Sequence, residues 1–347
     1  MKRRIAMHGR TTETRRPVAM GLAAAVWIGS AALANDVIHL KQPGSEAVIP
    51  VPATIDDFTG KFIRFRVGTN VRQELTSNVV QTDHAFSEGF KRGQNLFRTG
   101  DYAAAEEEWK QDVLREPKAW VRREIRAWLI RAAWRQDHWP DAANQFLEIV
   151  AEDPDTFHWP IAPLTWTPAL READRTQARR LLEDSRPVAR LLGASFLLKD
   201  AHSTTSAERV LKDLMRDVSP QVAGLAKAQL WRTQIGPPIS DPELARWRSH
   251  IAFLPETLRG GPQFVLAAAT LQRSEFDRAA AEFLWVPLVY SQNEPTAARA
   301  SLEAGVSLLR AGRRDDAVKI LKETVDNFTW SDAAREAKSR LMEVAPD

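Results

Sequence analysis

The sequence predicts a mostly α-helical protein: a right-handed α–α superhelix of stacked helix pairs, preceded by a small β-barrel-like module. Three observations lead there. Apolar residues recur in steps of three and four over most of the chain. The pattern repeats at offsets of 37, 38 and 34 residues. Short alternating runs are confined to residues 36–84. A repeat of about 34 to 40 residues is the period of a helix pair that buries its apolar face by stacking on its neighbours.

The chain opens on an export segment. Residues 1–16 carry Lys2, Arg3, Arg4, Arg10, Arg15 and Arg16 against Glu13 alone. An uncharged run follows from Pro17 to Ala34 and ends in Ala32-Leu33-Ala34, a small-residue cleavage site. Basic, apolar and small-residue regions in that order make a signal peptide of residues 1–34, cleaved after Ala34. The expectation is a protein exported to the periplasm or cell envelope. An uncleaved anchor is the rival reading, and the shortness of the run and its small residues favour cleavage. Thr14-Arg15-Arg16 partly matches a twin-arginine signal, although Pro17, Val18 and Ala19 are not its usual followers. Without this segment the formal charge of +3 becomes −2, since six cations and one acid leave with it. The basic balance therefore belongs to targeting and gives no argument for nucleic-acid binding. The chain has no cysteine, which excludes disulfides, thiolate metal sites, a cysteine nucleophile and a lipidated N-terminal cysteine.

Residues 36–84 read as three to five short strands. Phe62, Phe65 and Val67 interleave with Lys61, Arg64 and Arg66, and "DDFTG" and "VGTN" read as turns. A sheet this small closes into a barrel or leans on neighbouring helices.

Residues 85–155 form the first pair of repeats. Phe86, Phe90, Gly93 and Phe97 make one stripe, and Tyr102, Ala105, Trp109 and Val113 make its partner. Gly100-Asp101 is the turn, and Pro117 stops the second helix. Thirty-seven positions on, Trp139, Ala142, Phe146, Val150 and Pro154 repeat Tyr102, Ala105, Trp109, Val113 and Pro117. A small residue at Gly93, a glycine turn, an aromatic, an alanine, a large apolar residue and a closing proline resemble the tetratricopeptide repeat. The second copy departs from it with Ile130 in the place of Gly93.

Residues 156–172 are a Pro/Trp-rich connector that cannot continue a helix. Over 173–235, Ser185, Val188, Ala189, Leu191 and Ala194 recur 34 residues later as Ser219, Val222, Ala223, Leu225 and Ala228. A helix opening Ser-x-x-Val-Ala resembles HEAT-type repeats. Residues 236–262 read as a linker with a short helix. Residues 263–347 return to the tetratricopeptide pattern: Ala267, Ala279 and Phe283 recur as Gly305, Ala317 and Leu321, with Gly312 at a turn. A closing helix runs over 331–344, with Ser331 as its N-cap.

No motif carries chemistry. There is no phosphate-binding loop, dinucleotide fingerprint, zinc-protease helix or nucleophile elbow. His39, His84, His138, His158, His202 and His250 lack metal-ligand spacing and read as surface or turn residues. Glu106-Glu107-Glu108 fan around a helix and read as a solvated face. Asp153-Pro154-Asp155 lacks the further ligands of a calcium loop. The expectation is therefore no enzyme, no cofactor and no metal.

Trp120, Trp128 and Trp134 share a helix with Arg122, Arg123, Arg126 and Arg131. The resemblance implies that this helix lines a concave surface, and arginine and tryptophan are favoured interface anchors. Arg122, Arg126, Trp128 and Arg131 are the candidate partner-binding surface. The rival reading is that they pack on the β module or the connector. The resemblance implies a non-catalytic scaffold or adaptor that binds a protein or peptide, with no nucleic acid and no membrane span after cleavage. Two alternatives stand beside it. One is a cell-wall or carbohydrate-binding module stacking glycans on Trp159 and Trp166; the other is a repeat subunit of an envelope enzyme complex.

Overall fold

The computed structural model describes residues 36–42, 44–45, 47–167, 172–236 and 239–344. The signal peptide expected over residues 1–34 lies outside them. Five antiparallel strands come first: β1 (Asp36–Lys41), β2 (Val48–Phe58), β3 (Phe62–Val67), β4 (Asn70–Leu75) and β5 (Val79–His84). Their order is β4-β3-β2-β1-β5. The sheet is open, with β4 and β5 at its two edges, and so it is not the barrel the sequence suggested. Closure is unnecessary because the apolar face is covered from elsewhere. Ile38, Ile55, Ile63 and Phe65 are buried in one cluster with Phe90, Trp109, Val121 and Ile125 of the helices that follow. Period-two alternation places Ile63 and Phe65 inward while Arg64 and Arg66 stay outside.

The first helices are α1 (Glu88–Arg98), α2 (Tyr102–Arg115), α3 (Ala119–Arg135) and α4 (Trp139–Glu152). The predicted small-on-large contact is there. A methyl group on Gly93 would stand 2.4 Å from Trp109 Nε1, and that nitrogen donates to the Phe90 carbonyl at 3.2 Å. Gly100 makes the turn with φ +87°, a conformation that suits glycine. Ala142 and Phe146 repeat the burial of Ala105 and Trp109 in α4.

After the connector come α5 (Arg175–Leu182), α6 (Pro187–Leu197), α7 (Thr204–Leu214) and α8 (Pro220–Gln234). Ser219 caps α8 by accepting from Val222 N. Ser185 does not cap α6; Asp184 accepts from the Arg186 amide instead. The expected linker holds a full helix, α9 (Asp241–Phe253), whose Trp247 stacks on Trp231 of α8 at 4.7 Å. The chain then runs through α10 (Gly260–Gln272), α11 (Phe276–Val289), α12 (Glu294–Arg310), α13 (Arg314–Asn327) and α14 (Asp332–Val344). A methyl group on Gly305 would meet Leu321 at 2.7 Å. Ser331 caps α14, accepting from Ala334 N.

Most consecutive helices pack on one another in chain order. From α4 onward alternate helices also touch, α4 on α6, α6 on α8, α8 on α10, α10 on α12 and α12 on α14. This arrangement of fourteen α-helices among the described residues is consistent with an α-solenoid. None of these helices is long and apolar enough to cross a membrane.

A candidate interaction surface on α3

Helix α3 has neighbours on several sides, and its polar side chains divide among them by angular position. Arg122 and Arg126, four residues apart, point toward α4. Arg122 Nη1 donates to the carbonyls of Glu116 and Pro117 at 3.2 and 2.9 Å, and its Nη2 lies 3.9 Å from Glu152. It thus closes the exposed C-terminal end of α2. Arg126 Nη1 donates to Gln145 at 3.0 Å, with Glu148 at 3.6 Å.

Trp128 and Arg131 belong to another face. Trp128 packs against Phe90, Phe97 and Trp109. The Arg131 guanidinium lies over the Trp128 ring at 5.2 Å, an attraction to the ring's electron-rich face, and also donates to the Ala127 carbonyl. The four predicted residues therefore form two pairs on different sides of one helix rather than one patch.

The second face carries residues the sequence reading did not single out. Glu124 Oε2 lies 3.6 Å from His158 Nε2 of the connector. Burial holds the Glu124 carboxyl above its usual range, although Arg131 and a hydrogen bond from Trp128 pull the other way. Burial, helped by Arg131 and Arg123, pushes the His158 imidazole down to about 3. One turn on, Arg135 pairs with Glu294 at the start of α12 at 2.5 Å. Its guanidinium also lies over Trp330 at 4.3 Å and Phe97 at 5.2 Å. The second helix pair thus meets the last part of the chain, a contact no local pattern announces. His158 and Glu106, expected at the surface, are both buried; Glu106 pairs with Lys110 at 2.6 Å and accepts from Gln136.

The connector explains why this face is crowded. Trp159 and Trp166 are only 4 % and 6 % exposed. Trp159 packs edge-on to Phe146. Trp166 fills the space left by Gly261, where a methyl group would come within 1.9 Å of its ring. Trp139 Nε1 donates to the Pro163 carbonyl at 2.7 Å. Thr165 N donates to Ser195 Oγ of α6 at 2.7 Å, and Gln229 of α8 donates to the Thr165 carbonyl at 3.2 Å. Asn293, the N-cap of α12, donates to the Ala162 carbonyl. Beside them Arg232 is buried, donating to the Ser195 carbonyl and to Gln229, and burial pushes it down to about 10. The segment 159–166 thus bonds to or packs on α4, α6, α8, α10 and α12. A glycan has no exposed indole face to stack on at Trp159 or Trp166.

Among the described residues no group of three or more histidine and carboxylate side chains has metal-binding geometry. No protein-family model matches the chain. No curated protein matches it either.

Proposed function

We propose that the chain is a non-catalytic interaction scaffold of the cell envelope. In this reading residues 1–34 direct export, and the helices form a right-handed tetratricopeptide- and HEAT-like superhelix that presents surface to a protein or peptide partner. The observation that carries it is the repeated small-on-large helix contact, Gly93 on Trp109 and Gly305 on Leu321, at opposite ends of a chain of helices packed in series. Stacked repeats of this kind create extended surfaces. The connector already occupies the sides of α6, α8 and α10 that it touches, and Trp128 and Arg131 lie on the crowded face of α3, so the partner is assigned to the other side of α3, at Arg122 and Arg126. Arginine there offers bidentate recognition of carboxylates.

The test is a crosslinked capture from the envelope fraction, comparing the chain from Asn35 with an Arg122→Glu/Arg126→Glu variant of matched melting temperature. The expected result is a defined protein captured by the first and lost from the second. Equal capture by both moves the site off α3. Failure of either to capture any protein contradicts the scaffold reading.

A further inference from the structure

Strand β4 lies at the end of the sheet, and β3 is the element it packs on. It contains no proline or lysine, and its register with β3 runs without a bulge from Phe62↔Leu75 to Val67↔Asn70. Proline and bulges are two of the devices that guard an edge; the charges β4 does carry, Arg72 and Glu74, lie opposite Phe65 and Ile63. Val71 and Leu75 are 63 % and 61 % exposed.

The backbone directions follow from the hairpin. Val67↔Asn70 closes a two-residue loop whose Gly68 has φ +61°, and Thr76 N donates to the Lys61 carbonyl at 3.0 Å. In an antiparallel ladder bonded and non-bonded pairs alternate. Asn70, Arg72 and Glu74 therefore bond to β3, while the N–H and C=O groups of Val71, Gln73 and Leu75 point to the free edge. A second strand must bring its own outward-pointing residues opposite these three. That condition leaves registers centred on Arg72, Gln73 or Glu74. Centred on Arg72, Arg72 faces its own copy; centred on Glu74, two carboxylates face each other. Centred on Gln73, Arg72 faces Glu74 of the second copy twice over, and Val71 faces Leu75 on the opposite side of the sheet. Cross-strand pairs of opposite charge and of apolar residues both favour association, and like charges oppose it. The other edge, β5, offers no such match, since Val79–His84 holds Asp83 and no lysine or arginine.

We propose that two copies of this chain associate through antiparallel pairing of β4 with β4, in the register centred on Gln73, joining two five-stranded sheets into one. Glu74 is placed to take part: among the described residues its carboxylate has one polar contact, a 3.5 Å hydrogen bond from Asn78. A contact six residues long is small, so the association is a concentration-dependent one.

The experiment is sedimentation of the chain from Asn35, which holds every described element, over a series reaching about 100 µM. Four proteins are compared: the native sequence, Arg72→Glu, Glu74→Arg and the double exchange Arg72→Glu/Glu74→Arg. Each single change places two like-charged pairs in the seam and is expected to raise the dimer dissociation constant at least about tenfold. The double exchange restores both pairs and is expected to recover the dimer. Equal melting temperatures exclude unfolding as the cause. A separate Gln73→Cys variant, in a chain with no other cysteine, is expected to form a disulfide-linked dimer on mild oxidation, because directly paired Cα atoms lie about 5.5 Å apart. A native chain that stays monomeric throughout overturns the proposal. So does a dimer indifferent to the single exchanges, or one that the double exchange fails to restore.

Discussion

Two seams in this molecule are held in different ways. Where the sheet meets the helices, charged fastenings join the apolar cluster, and Asp36, Arg123 and Asp153 among them are buried. Asp36 accepts from the Ile55 amide at 2.7 Å and His84 Nδ1 at 2.5 Å, with Lys118 Nζ at 3.3 Å. Arg123, 3 % exposed, donates to Asp57 at 2.7 Å and the Phe58 carbonyl at 2.9 Å, and reaches Glu152 at 3.4 Å. Gly60 N donates to Asp153, and Lys61 pairs with Asp155. Where the C-terminal helices meet one another, the contact is alanine and glycine against leucine and phenylalanine. Ala267, Ala279, Ala300, Ala304 and Ala317 are fully buried. Helices of one repeat interlock by shape, since ridges fit grooves when a small residue stands under each large one. The sheet shares an apolar cluster with the helices but no repeating ridge and groove, and its strand ends bring backbone groups that need partners. The first seam therefore adds specific polar atoms to its apolar cluster, and the second depends on volume alone.

Substituting Arg123 by leucine breaks the comparison most severely. It takes the Arg123 donor from the Phe58 carbonyl and from Asp57, which is a third exposed and keeps the Phe58 amide, with an expected loss of about 2–3 kcal/mol. Guanidinium denaturation gives the value; a loss below that of Gly305→Ala would contradict the assignment. The second seam is sharpened by two glycines. Gly93→Ala pushes against the Trp109 ring, which its own hydrogen bond holds in place, and is expected to lose about 2 kcal/mol. Gly305→Ala meets Leu321 at both Cδ2 and Cγ, at 2.7 and 2.8 Å, a side chain that no hydrogen bond holds in place. There overpacking is offset by roughly 0.5–1 kcal/mol from removing a mid-helix glycine, for a net loss of about 1.5 kcal/mol.

Acid acts on the first half of the chain through two groups. Asp36 is held below its usual range: burial alone would raise it, but the His84 hydrogen bond, the Ile55 amide and Lys118 outweigh burial. A depressed carboxylate stabilises above the unfolded value of 3.8 and loses that stability as pH falls through the folded value. His158 is also depressed, so the unfolded chain binds its proton first. Its contribution is lost as pH falls below 6.5 toward about 3. Stability measured between pH 6.5 and 5 is expected to fall with a slope approaching about 1.4 kcal/mol per pH unit from His158. Glu124, shifted the other way, opposes this in part at the lower end. His158→Gln is expected to flatten the slope; an unchanged slope would remove His158 from the account. The smallest expected effect is at the far end of the chain. Ser331→Ala removes the cap of α14, for about 1 kcal/mol in thermal or chemical unfolding, with no change in the acid response.

How much of this is visible in the sequence follows from the same contrast. The repeats at Tyr102–Val113 and Trp139–Val150 are legible because volume recurs at fixed spacing, and so are Gly93, Gly100 and the cap at Ser331. The strands were legible from the alternation around Ile63–Val67, but the open sheet was not, because what covers Ile55 and Phe65 lies on helices far along the chain. The charged fastenings left no periodic trace. Arg123 is one of five arginines on α3, and nothing local marks it as the buried one. Arg135 meets Glu294, and His158 meets Glu124, only after the chain has folded back. The candidate site suffered most: helix spacing gave its residues, but their division between two faces depends on which neighbour each side chain meets.

The connector joins the two seams, and its place inside the helices is the central claim. Native-state hydrogen exchange at the amides of Ile161, Ala162, Leu164 and Thr165 tests it most directly. These amides donate to His158 O, Trp159 O, Ala162 O and Ser195 Oγ. The account predicts that they exchange as slowly as the amides of α6 and α8, through unfolding of the whole helical array. Exchange as fast as that of the exposed β4 edge, with α6 and α8 still protected, would contradict it.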